Sequence, residues 1–199
     1  MKQSGDFEAR IRKSIKSSID AQQNLLADAN AMAEIVKVCC AIVAAFRQGN
    51  KVLLFGNGGS AADAQHIAAD FVGRFAFNRA ALAAIALGVN GSSLTAIGND
   101  YGFERVFARQ VEALGRAGDV AVGISTSGNS PNVLRAVHVA REKKLISVGL
   151  AGRTGGKLRT AVEHCICIPS DQTPRVQEAH ILTGHILCEL IEETLFGQS

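Results

Sequence analysis

Five short apolar runs, separated by helical stretches, constrain this chain more than any other feature: Lys51–Phe55, Leu82–Leu87, Val120–Ile124, Ile146–Leu150 and Cys165–Ile168. Nearly continuous apolar strands suit a sheet buried on both faces. Between them lie helical patterns such as Phe103–Leu114 and Pro131–Lys143. Strand alternating with helix specifies a parallel, doubly wound five-stranded α/β sheet with helices on both faces. Upstream, Ile11, Ile15 and Ile19, then Met32, Ile35, Val36, Cys39, Ile42, Val43 and Phe46, recur at spacings of three and four. That period predicts two helices ahead of the sheet. Downstream, Pro174–Phe196 reads as one long amphipathic helix with Ile181, Ile186, Leu187, Leu190 and Ile191 on its apolar side. The expectation is a single domain over 1–199, with an N-terminal helical extension at 1–49 and the α/β core at 50–199.

The 199 residues are 47% apolar, enough for one sizeable core. A net charge of +3 with no run of Lys or Arg argues against a nucleic-acid partner and accommodates anionic metabolites. Five cysteines, an odd number without CxxC spacing, read as reduced thiols in a reducing compartment. The charged N-terminus is no signal peptide, and no uninterrupted apolar stretch reaches membrane-spanning length, so a cytoplasmic protein without membrane contact is expected.

In a doubly wound sheet, ligands gather where strand ends lead into helix N-termini. Two such loops stand out. Ser125-Thr126-Ser127-Gly128-Asn129-Ser130 precedes Pro131, with Ser130 suited to an N-cap and Pro131 to the first helical position. Four hydroxyls beside a helix N-terminus suit a phosphate; a capped turn whose hydroxyls serve their own backbone is the plain alternative. Gly56-Asn57-Gly58-Gly59-Ser60 lets backbone approach a ligand closely, and Asn57 offers a donor and an acceptor to sugar hydroxyls. Neither loop has the spacing of a Walker or dinucleotide motif.

On the helix opened by Ser60, His66 and Asp70 are four residues apart and share a face. On the last helix, Gln177 and His185 are eight apart, with His180 between them. Histidine and carboxylate at helical spacing are credible zinc ligands, with a Gln carbonyl as a less usual member. A purely structural role is the ordinary reading of each histidine alone, and His138 and His164 take it outright. Arg74, one turn beyond Asp70, is placed either to pair with it or to reach a ligand.

Four blocks in order carry a resemblance to a known family: Gly56-Asn57-Gly58-Gly59-Ser60-Ala61-Ala62-Asp63-Ala64-Gln65-His66, Ala96-Ile97-Gly98-Asn99-Asp100-Tyr101-Gly102, Ser125-Thr126-Ser127-Gly128-Asn129-Ser130, and Thr173-Pro174-Arg175-Val176-Gln177-Glu178. The chain resembles the SIS-domain family, whose sheet is flavodoxin-like, and over nearly its whole length its phosphoheptose isomerases. The resemblance implies sugar contacts at Asn57, Gly58, Gly59, Ser60, Asn99, Asp100 and Gln177, and a phosphate loop at Ser125, Thr126, Ser127 and Ser130. It implies one zinc per subunit on His66, Asp70, Gln177 and His185, with Asp70 also touching substrate. It further implies a homotetramer with active sites between subunits. One departure is visible: Asp70 stands where the family has glutamate, one methylene longer.

The implied reaction converts D-sedoheptulose 7-phosphate to D-glycero-D-manno-heptose 7-phosphate through a cis-enediol, the first step toward nucleotide-activated heptose for lipopolysaccharide precursors. Such proton transfer needs a base, a stabilised oxyanion and a phosphate clamp, and Asp70 and His185 are the expected proton carriers. Two alternatives remain at this stage: an SIS isomerase of another sugar phosphate, and a non-catalytic SIS protein that binds the replication initiator. The intact Gly58-Gly59 pair and His185 favour the enzyme.

Overall fold

The computed structural model describes residues 2–197. Its strands are β1 (Val52–Gly56), β2 (Ala84–Ala86), β3 (Val120–Ser125), β4 (Ile146–Ala151) and β5 (His164–Cys167). All pair in parallel in the order β2-β1-β3-β4-β5, with Val52 opposite both Ala84 and Val120, Val120 opposite Ile146, and Val148 opposite His164. Every residue of β1 and β3 is buried, which is why these runs lack an alternating polar face. The doubly wound five-stranded sheet is as expected.

Two helices precede the sheet: α1 (Lys2–Ala27) and α2 (Ala29–Arg47). They break at Asp28, whose Oδ1 accepts the Asn30 and Ala31 N–H groups at 3.0 and 3.1 Å and caps α2. The remaining helices are α3 (Gly59–Val72), α4 (Gly91–Tyr101), α5 (Ala108–Leu114), α6 (Pro131–Glu142), the single turn α7 (Leu158–Ala161) and α8 (Thr173–Phe196). Side-chain alternation divides the core. Val52, Leu54, Val122 and Leu150 face α2, α3 and α8 through Ile35, Ile42, Ile67, Phe71, Leu187 and Ile191. Leu53, Phe55 and Ala121 face α5, α6 and α7 through Val111, Val133, Val137 and Leu158.

Several elements differ from the sequence reading. The helix expected over Phe103–Leu114 is a 3-10 turn, Phe103–Arg105, followed by α5. The strand expected over Leu82–Leu87 pairs only through Ala84–Ala86. Helix α4 was not anticipated: Gly91, Ser92 and Ser93 open it, poor helix formers, and it has no buried residue. On α8 the buried face is rotated from the expected one. It comprises Val176, Ala179, His180, Thr183, Gly184, Leu187, Cys188, Ile191 and Glu192, while Leu190 is exposed and Ile181 and Ile186 are half-buried. Helix α2 is long and apolar enough to span a membrane by length and composition, yet its Ile35, Val38 and Ile42 are core residues against the sheet.

Charged groups fix the lower end of the sheet. Asp119, only 1% exposed, accepts the Lys51 and Arg116 N–H groups at 3.0 and 2.8 Å and binds Lys51 Nζ at 2.6 Å. It therefore ties the entrance of β1 to that of β3. By contrast Phe7, Ile11, Ile15 and Ile19 form a stripe along α1 whose members are 48–58% exposed.

Candidate active site

Helices α3 and α8 lie side by side, aligned by two close approaches. A Cβ on Gly184 would come within 2.5 Å of the Ile67 side chain, and one on Gly59 within 2.5 Å of Gln177 Nε2. Glycine at both places lets the helices pack in register. That register brings His66 and Asp70 of α3 against His185 of α8. The His66 and His185 Nε2 atoms are 3.0 Å apart, and Asp70 Oδ2 lies 3.5 Å from the first and 4.0 Å from the second. This oxygen is buried without a hydrogen-bond partner. An acceptor facing two ring nitrogens and lacking a donor is costly unless a proton or a cation joins them. The three ligand atoms lie within 4.8 Å of one another, so the set is able to hold a metal ion.

Behind the cluster, a buried ion pair holds the chain that leaves α3. Glu192 accepts the N–H groups of Phe75, Ala76 and Phe77 at 2.8, 2.6 and 3.1 Å, and Arg79 Nε at 2.7 Å. Arg79 in turn donates to the carbonyls of Asp70 at 2.8 Å and Phe71 at 2.7 Å. Burial pushes the Glu192 carboxyl up, but the three backbone N–H groups and Arg79 outweigh it and hold the group at about 2. The same segment places the Phe75 ring 5.7 Å from that of His185. Composition and spacing gave no sign of this knot, because the partners are far apart in sequence.

Gln177 is not brought into the three-residue cluster within this chain. Its amide lies against Gly59, and eight helical residues separate it from His185, about 12 Å along α8. His180 is fully buried and structural. Its Nε2 donates to the Ala151 carbonyl at 3.2 Å, and burial lowers its ring to about 4. Arg74 is exposed, and among the described residues no carboxylate pairs with it. Asp63, one turn before His66, is a site neighbour that sequence reasoning passed over. Burial raises its carboxyl, and its Oδ2 has no hydrogen-bond partner.

The hydroxyl loop closes at the other end of the strands. Ser125 Oγ lies 3.0 Å from Ser130 Oγ and 3.5 Å from Ser127 Oγ. Ser130 stands at the N-cap of α6 but makes no side-chain cap bond, contrary to the expectation, so its hydroxyl faces the loop interior. Thr126 and Ser127 line a cleft of about 240 Å³ with Thr173 and Val176 from the first turn of α8. Asn57 is tied to this region: its amide and that of Asn132 exchange reciprocal hydrogen bonds of 2.9 and 2.8 Å. Asn132, 3% exposed, is thus an unanticipated partner that fixes the glycine loop to α6. Gly58 and Gly59 are exposed, whereas Ser60 is 4% exposed and packs beneath Gly56. Asn99 and Asp100 are exposed at the end of α4 and bond to each other at 2.9 Å.

Gly128 turns the hydroxyl loop with φ +64, and a Cβ there would stand 1.9 Å from the Gly155 carbonyl oxygen. Neither the conformation nor the space admits a side chain. Gly128→Ala is expected to displace the loop and lower kcat/KM for a phosphorylated substrate on the order of a hundredfold. Steady-state kinetics against the unchanged protein checks this.

A SIS domain family model matches residues 10–152. Phosphoheptose isomerase 2 of Campylobacter jejuni is 52% identical over 193 residues, covering 97% of this chain and 96% of the relative. A phosphoheptose isomerase of Aneurinibacillus thermoaerophilus is 51% identical over 94% of both chains. The solved structure of the phosphoheptose isomerase GmhA from Neisseria gonorrhoeae superposes with a TM-score of 0.88 at 43% identity, over 94% of this chain and 99% of that one. Matched over most of its length in sequence and in fold, the chain belongs to the SIS-domain family, alongside its phosphoheptose isomerases.

Proposed function

We propose that the protein is an aldose–ketose isomerase that converts D-sedoheptulose 7-phosphate to D-glycero-D-manno-heptose 7-phosphate. The observation that carries this reading is the closure of His66, Asp70 and His185 between α3 and α8, with the orphaned Asp70 oxygen at its centre. Helix α8 runs from the hydroxyl-lined cleft at Val176 to His185, a span that suits an extended sugar phosphate with its phosphate at Ser125–Ser130 and its carbonyl end at the cluster. The non-catalytic alternative is not favoured, because His66, Asp70 and His185 come together and the relatives that match over nearly the whole chain are phosphoheptose isomerases.

The observed edges of 3.0, 3.5 and 4.0 Å bracket the edge of a tetrahedral zinc site, about 3.3 Å for bonds near 2.0–2.1 Å. His66, Asp70 and His185 are the residues that would hold zinc, one per subunit. When bound, zinc supplies positive charge where the carbonyl and enediolate oxygens develop negative charge. The protein's own groups carry the protons. A carboxylate oxygen of Asp70 takes the proton from C1 of the open-chain ketose, and the electron pair moves into the C1–C2 bond as charge builds on O2. The His185 imidazole exchanges the proton between O2 and O1. Asp70 then returns its proton to C2, giving the aldose. Gln177 beside Gly59, with Asn57, orients the carbon chain, and Ser125, Thr126, Ser127 and Ser130 clamp the phosphate. Reduced cysteines throughout support action in the cytoplasm, where the product would feed nucleotide-activated heptose and lipopolysaccharide precursors.

Asp70 variants test the assignment. Asp70→Asn is expected to lower turnover of sedoheptulose 7-phosphate at least about a hundredfold. Asp70→Glu is expected to remain within about tenfold of the parent, because a longer carboxylate still reaches the cluster. Equal turnover by parent and Asp70→Asn, followed by NMR, would remove the carboxylate from the mechanism.

The exposed stripe of Phe7, Ile11, Ile15 and Ile19 supports assembly into a homotetramer. So does a groove of about 420 Å³ lined by Ile85, Val89, Ile97, Tyr101 and Leu114. The pair Ile11→Glu and Ile15→Glu is expected to shift the mass measured by light scattering to a smaller species. An unchanged mass would place the interface elsewhere.

A further inference from the structure

Away from the cluster, β5 carries two thiols on one face, Cys165 and Cys167, with sulfurs 3.8 Å apart. Both line a cavity of about 320 Å³ between β5 and the start of α2, together with Asp28, Glu34, Arg153 and Arg159. Arg153 is held by Asp171 at 2.8 Å, Asp28 caps α2, and Glu34 is held by Lys37 and faces His164 at 3.5 Å. Among the described residues, no carboxylate pairs with Arg159, which stands beside the sulfurs as the unengaged cation. The hydrogen bond with Cys165 lowers the Cys167 thiol to about 7 against the effect of burial, and Arg159 adds to the lowering. The same contact, with burial, pushes Cys165 up. A thiolate with a neighbouring thiol, a cation and a solvent-reaching cavity is the arrangement of a reactive dithiol. In a reducing compartment such pairs form transient bonds rather than structural ones.

We propose that Cys165 and Cys167 form a reversible modification site for low-molecular-weight disulfides, with Cys167 as the attacking thiol and Cys165 as the resolving one. The Cys167 thiolate attacks one sulfur of the disulfide RSSR, forming Cys167–S–S–R and releasing RS⁻, which takes up a proton. The Cys165 thiol then loses its proton and attacks Cys167 Sγ, expelling the second RS⁻. One intrachain disulfide forms as RSSR is reduced to two thiols. The sulfurs must close from 3.8 Å to about 2.05 Å, and β5, an edge strand paired among the described residues with β4 alone, has a single ladder to distort.

The change reaches the phosphate loop through a short path. Cys167 Sγ lies 2.9 Å from where a Gly155 Cβ would stand. The Gly155 carbonyl backs Gly128, and Gly156 backs the Ser127 carbonyl. Modification at β5 therefore presses on the loop that holds Ser127.

The test treats the reduced full-length protein at pH 7 with glutathione disulfide and maps adducts by peptide mass spectrometry. Cys167 is expected to be modified about tenfold faster than the exposed Cys40, and the 165–167 peptide to lose two hydrogens reversibly with dithiothreitol. Cys165→Ser is expected to trap glutathione on Cys167, and Cys167→Ser to leave Cys165 unmodified on the same timescale. Modification of Cys40 as fast as Cys167, or no trapped adduct in Cys165→Ser, overturns the proposal. A second readout rests on the isomerase reading: KM for the sugar phosphate rises severalfold on oxidation, and not in Cys167→Ser. An unchanged KM in an active enzyme overturns the link to the loop. Absence of any turnover counts against the isomerase reading alone, since the mass readout needs none.

Discussion

His185→Gln is expected to lower turnover of sedoheptulose 7-phosphate about a thousandfold or more while leaving the fold intact. The side chain is half-buried and touches His66, Asp70 and the Phe75 ring, so glutamine fits the space but cannot exchange a proton near neutral pH. General acid–base groups contribute about a hundredfold to ten-thousandfold, and this substitution also removes one ring nitrogen of the cluster. Circular dichroism and a melting temperature within a few degrees of the parent would separate lost chemistry from lost structure. Turnover at the parent's rate would remove His185 from the mechanism.

The second large effect is on stability. Glu192 sits 1% exposed, bound by Arg79 and three backbone N–H groups. Its carboxyl is held at about 2 against an ordinary 4.5. A carboxyl depressed on folding contributes stability that is complete above its unfolded value and is lost as pH falls through its folded value. The window is therefore pH 4.5 down to 2. The shift corresponds to about 3 kcal/mol at neutral pH. Glu192→Gln is expected to lower the melting temperature by roughly 10 °C at pH 7, with the gap in stability shrinking to about half by pH 3. A gap independent of pH over that range would show that the ionised carboxylate is not the source. Because Arg79 also grips the Asp70 carbonyl, the same knot that stabilises the fold holds the residue to which we assign the proton transfer in place.

Much of this architecture was legible in the chain. The strands announced themselves because the inner ones are nearly continuous apolar runs, with Ser147 the one polar residue inside β4, and the spacing of four between His66 and Asp70 placed both on one face of α3. Helix α4 was not legible: it packs without a buried face, so it leaves no apolar period to read. The buried side of α8 was misplaced because His180 and Glu192 occupy core positions that hydropathy assigns to solvent. Glu192 is satisfied there, and His180 is held through Nε2, by partners distant in sequence. The same limit hid the Asn57–Asn132 pair and the packing of Gln177 against Gly59. Local spacing reports which face a residue occupies, while pairing across elements depends on how the helices slide past one another.

The most direct test follows sedoheptulose 7-phosphate by NMR with purified, metal-analysed protein, before and after chelation and after zinc is returned. The account predicts aldoheptose 7-phosphate from the zinc-loaded protein, little from the chelated one, and recovery when zinc is restored. Absence of aldoheptose with zinc bound in full would contradict an isomerase built on His66, Asp70 and His185.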